Sequence, residues 1–255
     1  MIPKIIHYCW FGGKDKPPLA ERCIKSWHKF CPDYEIREWN EQNFDVNSAP
    51  LYVRQAYEAK RWAFVTDYVR LVALTQVGGI YLDTDVEIVK PLTPFMSHEA
   101  FAGFEHIDRV QTGLLACRKQ FPLFLEFLRY YDTASFRKED GSLDTTTNVE
   151  ILTQLCRQRG MVCNDTFQVI DGLAIYPKEV FCPVDYDTMK RRKSRKTVTI
   201  HWFSGSWHTE EELLAMKEEK DRLRQEQISN LRYRIGCRVL GETGYARVKA
   251  LLKRR

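Results

Sequence analysis

Long apolar runs are missing from this 255-residue chain. No stretch approaches the ~18 consecutive apolar residues that a membrane-crossing helix needs, which excludes a spanning helix. The opening Met1-Ile2-Pro3-Lys4 has no charged head, long apolar stretch or small-residue cleavage site, so no secretory leader is expected. Eight cysteines occur (Cys9, Cys23, Cys31, Cys117, Cys156, Cys163, Cys182 and Cys237), but none stands in a C-x-x-C pair. Zinc spacing is absent, and a disulfide framework is not expected without a leader. The thiols read as small buried apolar groups in a reducing compartment, hence a cytoplasmic location. Internal repeats and low-complexity linkers are lacking too.

The body also lacks a charge excess of one sign. Residues 217–255 hold 12 Lys/Arg against 5 Asp/Glu, whereas the rest holds 27 against 29. A nearly neutral body argues against nucleic acid as a partner, and the surplus sits on a basic appendage. Hydrophobic residues make up 44% and charged residues 29%, ordinary values for a chain that folds around a core.

What is present alternates strand and helix signals. Residues 3–9 form an apolar run stopped by Gly12-Gly13. Leu19, Cys23, Trp27 and Phe30 recur at helical spacing between Pro17-Pro18 and Pro32. Residues 34–39 alternate as a second strand. A helical pattern over 54–77 closes at Gly78-Gly79, and the β-branched run 80–89 follows. This order implies βαβ units and an α/β fold with a mostly parallel sheet. Residues 101–105, 112–117 and 197–203 read as strands, and 121–131 and 147–159 as helices. Residues 190–196 (KRRKSRK) read as an exposed loop, and 210–239 and 245–255 as amphipathic helices.

The sharpest feature is Gly78-Gly79-Ile80-Tyr81-Leu82-Asp83-Thr84-Asp85. Strand alternation puts Tyr81, Asp83 and Asp85 on one face. Two aspartates closing an apolar strand repel each other and are costly to desolvate, unless a cation lies beside them. A hard divalent ion, Mn²⁺ or Mg²⁺, is the natural compensation. A solvated strand end is the competing reading. Asp67 and Arg70 share a helix face and present an acceptor and a cationic fork, or else a surface ion pair. His7 and Trp10 close the first strand, where a flat aromatic could stack on a base or simply belong to the core. His201 offers a nitrogen ligand or a structural histidine. Ser206-Trp207 follow it and could cover a phosphate.

The stretches IPKIIHYCWFGG (2–13), RWAFVTDYVRLVALTQVGGIYLDTDVEIVKPL (61–92) and HWFSGSW (201–207) resemble glycosyltransferase family 32, which carries the D-x-D motif. The family includes yeast initiating α-1,6-mannosyltransferases and bacterial capsule and lipopolysaccharide transferases. More distantly the chain is similar to the glucosylating domain of large clostridial toxins. The resemblance implies a GT-A-like, Rossmann-related catalytic domain over 1–209 and a basic helical extension over 210–255. It implies a hexose moved with retention from a UDP- or GDP-sugar to a saccharide or lipid-linked acceptor, in bacterial surface polysaccharide synthesis. Trp10 would stack on the base, with His7 beside it. Asp67, Arg70 and Asn148 would hold the donor sugar, and Tyr81 and Asp83 would contact ribose or sugar. Asp85, with Asp83 and His201, would bind the metal that bridges the diphosphate, and Ser206-Trp207 would cover it.

Other functions remain open on the residues: a metal-dependent phosphohydrolase, a glycosidase using Asp83 and Asp85, or a non-catalytic nucleotide-sugar-binding module. Adjacent carboxylates on one strand make a poor glycosidase pair, because that chemistry flanks the bond from both sides. Residues 217–255 would suit an anionic membrane surface on the inner face of the plasma membrane, or else pack on the body.

Overall fold

The computed structural model describes residues 1–185 and 188–205, and beyond them the single helical positions Leu214, Glu218, Arg222, Gln225 and Arg238. The chain divides into two compact units, Met1–Ser204 and Gly205–Arg255. Ser206 and Trp207 lie outside the described residues, as does the 210–255 extension apart from those five positions.

The first unit opens with β1 (Ile5–Cys9), α1 (Pro18–Phe30) and β2 (Glu35–Trp39). Pro17 and Pro18 start α1, where a missing N–H costs nothing, and Ala20, Cys23 and Trp27 form its buried stripe. The helix expected over 54–77 is two helices, α2 (Leu51–Glu58) and α3 (Trp62–Gln76). The break falls at Lys60, whose φ of 56° is left-handed. Lys60 N–H donates to the Tyr57 carbonyl and Arg61 N–H to the Ala56 carbonyl, closing α2 without a glycine.

The strand expected over 80–89 is also two. β3 (Gly79–Leu82) ends at a turn closed by a 2.9 Å bond from Val86 N–H to the Asp83 carbonyl, and β4 (Val86–Ile88) leaves for another sheet. Asp83 and Asp85 therefore belong to a turn rather than to one strand face. The Gly78-Gly79 entry to β3 is obligatory. Gly78 and Gly79 have φ of 77° and 119°, and a Cβ on either would lie 2.6 Å from backbone, at Lys119 N or Ile5 O.

The chain continues through β5 (Ala100–His106), β6 (Arg109–Val110), β7 (Leu114–Cys117), α4 (Pro122–Thr133) and α5 (Asn148–Gln158). It closes with β8 (Gln168–Ile170), β9 (Leu173–Tyr176), α6 (Lys178–Phe181) and β10 (Thr199–His201). The main sheet runs β2-β1-β3-β7-β5-β9-β8, with β6 paired to β5. β1 is parallel to β2 and β3, and β5 to β9; β7 runs antiparallel between β3 and β5, and β8 antiparallel to β9. This is an α/β sheet, mixed and mostly parallel in direction. β10 pairs antiparallel with β4 in a separate ribbon.

Two cores flank the sheet. Val65, Val69 and Leu74 of α3 pack with Phe124 and Phe127 of α4 on one face, and Cys23 and Trp27 of α1 with Ile80, Leu82 and Phe181 on the other. Burying such aliphatic and aromatic groups contributes about 1.5–3 kcal/mol each. Of the described cysteines, all are free and all but Cys163 are buried.

Candidate metal and sugar site

The carboxyl ends of β1, β3 and β5 lie at one edge of the sheet, where open α/β sheets take their ligands. Asp83 leaves β3 there, held by a 2.8 Å bond from its N–H to the Gly113 carbonyl. Its Oδ1 accepts the Tyr81 hydroxyl at 2.9 Å and faces Arg70 Nη2 at 3.4 Å. Asp85 spends Oδ2 on Ser204, from the N–H at 2.8 Å and the hydroxyl at 2.9 Å, and turns Oδ1 to His201 Nε2 at 3.3 Å. Each aspartate thus commits one oxygen to the scaffold and keeps the other for the cluster.

One ligand atom from each of Asp83, Asp85 and His201 lies within 4.8 Å of the others. β10 carries His201 opposite Val86 of β4, which is why a distant histidine meets this turn. Gly113 forms the floor. A Cβ there would stand 2.9 Å from His201 Cε1 and 3.0 Å from Asp83 Oδ2. Phe203, with φ of 50°, brings the backbone round so that Ser204 reaches Asp85, and its ring lies 4.1 Å from that of His201.

Without a metal ion, the electrostatics pair Asp85 with His201. Burial alone would raise Asp85, but His201 and the Ser204 bonds hold it well below the usual carboxylate range. Burial likewise opposes charge on His201, yet Asp85 raises it well above its ordinary value. Two carboxylate oxygens and an imidazole are a donor set that divalent ions accept, so the residues present fit the expected metal.

Beside the cluster, Arg70 of α3 is buried and spans three acceptors. Its Nη2 meets Asp67 Oδ1 at 2.8 Å, its Nη1 donates to the Thr112 carbonyl at 2.8 Å, and its guanidinium lies 4.6 Å from the Tyr81 ring centroid. Burial pushes the Asp67 carboxyl up to about 6 against the pull of Arg70. Asp67 and Arg70 therefore form a buried pair joined to the D-x-D turn through Asp83.

Other expected site residues are placed differently. His7 is fully buried, with Nε2 2.9 Å from the Gly78 carbonyl and Nδ1 accepting from Trp39 Nε1 at 3.1 Å. Both nitrogens are used inside the sheet, so His7 supports β1 and β3 rather than reaching a ligand. Asn148 is buried as well: it accepts the Tyr131 hydroxyl at 2.5 Å and donates to the Asp67 carbonyl at 3.0 Å. It holds the Asp67 carbonyl from behind. Trp10 stands half-buried just past β1, its Nε1 donating to the Lys14 carbonyl at 2.6 Å.

Residues not anticipated complete the site. Glu105, near the end of β5, lies in the field of His201, Arg109, Asp83 and His106, and burial pushes its carboxyl up to about 7. The argument that singled out Asp83, an acid ending an apolar strand, applies to the Phe101–Glu105 run and could have found it. Gly113 and Thr112 carried no sequence signal, and Ser204 entered only as part of the HWFSGSW stretch.

Residues 17–102 match the family "Glycosyltransferase sugar-binding region containing DXD motif". An uncharacterized glycosyltransferase of Acanthamoeba polyphaga mimivirus is 29% identical over 160 residues, covering 56% of this chain and 62% of that protein. Inositol phosphoceramide mannosyltransferase 3 of Schizosaccharomyces pombe is 29% identical over 135 residues, covering 50% of this chain and 36% of that one. Among solved structures, the PaToxG glycosyltransferase superposes with a TM-score of 0.48 at 20% identity, covering 62% of this chain and 69% of that one. The galactosyltransferase LgtC, solved with donor and acceptor sugar analogs, gives 0.44 at 17% identity, covering 81% and 90%.

The fold and site define an α/β protein with a mixed sheet and a D-x-D centre. Its segment 17–102 is similar to the DXD glycosyltransferase family. It spans less than two thirds of either curated relative.

Proposed function

We propose that this chain is a metal-dependent glycosyltransferase that moves a hexose, with retention, from a UDP- or GDP-sugar to a saccharide or lipid-linked acceptor. The observation that carries the reading is the convergence of Asp83, Asp85 and His201 beside the buried Arg70–Asp67 pair. Asp85, His201 and Asp83 would hold Mn²⁺ or Mg²⁺, and that ion would offset the charge growing on the leaving diphosphate. Arg70 and Asp67 present a donor fork and an acceptor together, which suits the hydroxyls and phosphate of a bound donor. Tyr81 holds Asp83 in place. Trp10 would lie against the base. Such preorganised groups lower the barrier because they need no rearrangement as charge develops.

In this reading the chain works at the cytoplasmic face of a bacterial membrane, on surface polysaccharide, with 217–255 against anionic lipid. The deciding experiment incubates the protein with Mn²⁺ and a panel of UDP- and GDP-hexoses. Slow donor hydrolysis that disappears in Asp85→Asn is the expected result. Phosphate release from simple phosphate esters with no dependence on a nucleotide-sugar would overturn the assignment.

A further inference from the structure

Glu105 stands out from the charges around it because it lacks a fixed partner. Among the described residues no hydrogen bond or ion pair engages it, although it is partly buried. β5 and β6 explain its exposure to the site. Phe104 pairs with Val110 and His106 with Arg109, so two steps on β5 match one on β6 and Glu105 is the extra residue of a bulge. Bulges re-aim side chains and concentrate beside active sites.

Strand alternation adds a second observation. Ala102 and Phe104 belong to the core under α3 and α4, whereas Phe101 belongs to the opposite core. Gly103 follows Phe101 onto that opposite face, and at Glu105 the bulge interrupts the alternation. Beside Gly103, the Gln111 amide lies 3.0 Å from the place where a Gly103 Cβ would be. Gln111 is fully buried, and among the described residues neither its Oε1 nor its Nε2 has a partner. Buried amides without partners are rare, so this corner is polar by construction.

The charges acting on Glu105 are principally His201, Arg109, Asp83 and His106, while those on Asp67 are Arg70 and Asp83. Asp83 is the member common to both sets. The two carboxyls therefore border the D-x-D turn through different neighbours, one with Arg70 and the other with His201.

We propose that Glu105 is the acceptor-binding residue, its carboxylate taking hydrogen bonds from neighbouring hydroxyls of a saccharide on the His201 side of the Asp83–Asp85–His201 cluster. The assignment rests on the glycosyltransferase reading, in which Asp67 and Arg70 are occupied by the donor. A carboxylate has lone pairs for two hydroxyls at once, and such charge-assisted bonds are about twice as strong as neutral ones. It also explains why an acid is left unpaired here: its partner arrives with the acceptor.

The test uses the full chain with Mn²⁺ and UDP or GDP, and the methyl glycosides of glucose, galactose and mannose as probes. Saturation-transfer NMR reads glycoside binding, calorimetry reads nucleoside diphosphate binding, and a thermal melt checks folding. Wild type should bind at least one glycoside. Glu105→Gln, which keeps size but loses charge, should weaken it about 10-fold, and Glu105→Ala should abolish the signal. Binding of the diphosphate should be unchanged in both. Equal glycoside binding by wild type and both variants would overturn the proposal, as would binding of no glycoside by wild type. A joint loss of glycoside and diphosphate would place Glu105 in the donor site and also overturn it. A wild type that binds glycoside through Glu105 but no nucleoside diphosphate would instead remove the transferase reading and leave this subsite standing.

Discussion

His201 Nε2 faces Asp85 Oδ1 at 3.3 Å, while the other oxygen of that carboxylate is held by Ser204. Strand β10 supplies the histidine, and the backbone just beyond it supplies the clamp. Replacing Asp85 by Asn keeps the shape and removes the charge. Mn²⁺ affinity measured by calorimetry should then fall by more than the roughly 10–100-fold typical of losing a group that only orients a ligand. An unchanged affinity would remove Asp85 from the metal site.

The same pair sets a pH dependence. His201 is raised in the folded chain, so its contribution to stability is full below its ordinary value of about 6.5 and is lost as pH rises through the folded value. Asp85 is lowered, so its contribution is present above about 3.9 and is lost as pH falls through the folded value. The metal-free protein should gain most from this pair between about pH 4 and 6.5. Metal needs the neutral imidazole, so Mn²⁺ affinity should climb as pH rises above that window. Melting curves and Mn²⁺ titrations across pH 4–9 check both, and His201→Gln should flatten the His201 part of each.

Gly113→Ala is a test of the floor. The Gly113 backbone lies outside the left-handed region, so alanine costs little in conformation; its methyl instead meets His201 at 2.9 Å and Asp83 at 3.0 Å. We expect Mn²⁺ affinity to drop about 10- to 100-fold while the fold persists. A variant that binds Mn²⁺ like wild type would show that the cluster has room to spare.

Arg70 is expected to matter to stability as well as to binding. Arg70→Ala strands the buried Asp67 carboxylate, which costs about 3–5 kcal/mol and should lower Tm by at least about 6 °C. Adding Asp67→Asn should restore part of that loss, since the unpaired charge is then gone. Arg70→Lys should stay folded yet bind donor poorly, because an ammonium cannot span Asp67, Asp83 and the Thr112 carbonyl as a planar fork does. Thermal melts of the three variants, with donor binding measured for Arg70→Lys, decide this point.

Local pattern made much of this protein legible. The helical stripe around Trp27, the Gly78-Gly79 entry to β3 and the apolar run ending at Asp83 are short-range features, and residue spacing reports them directly. So is the suspicion attached to Asp83 and Asp85, because two acids closing an apolar strand need a physical reason. The breaks at Lys60 and at the Asp83–Asp85 turn were not legible. Each depends on backbone hydrogen bonds that no proline or glycine announces.

Residue pattern was enough for the α/β class, the acidic pair that follows the Gly78-Gly79 run and the helical stretch that carries Asp67 and Arg70. Tertiary structure alone decided that His201 meets that turn, that His7 and Asn148 are spent inside the scaffold, and that Glu105 borders the cluster. Periodicity describes neighbours a few residues apart, whereas these relations come from pairing β10 with β4 and from a bulge between β5 and β6. Those pairings are fixed by which distant strands bury each other's faces, and no local signal encodes that choice.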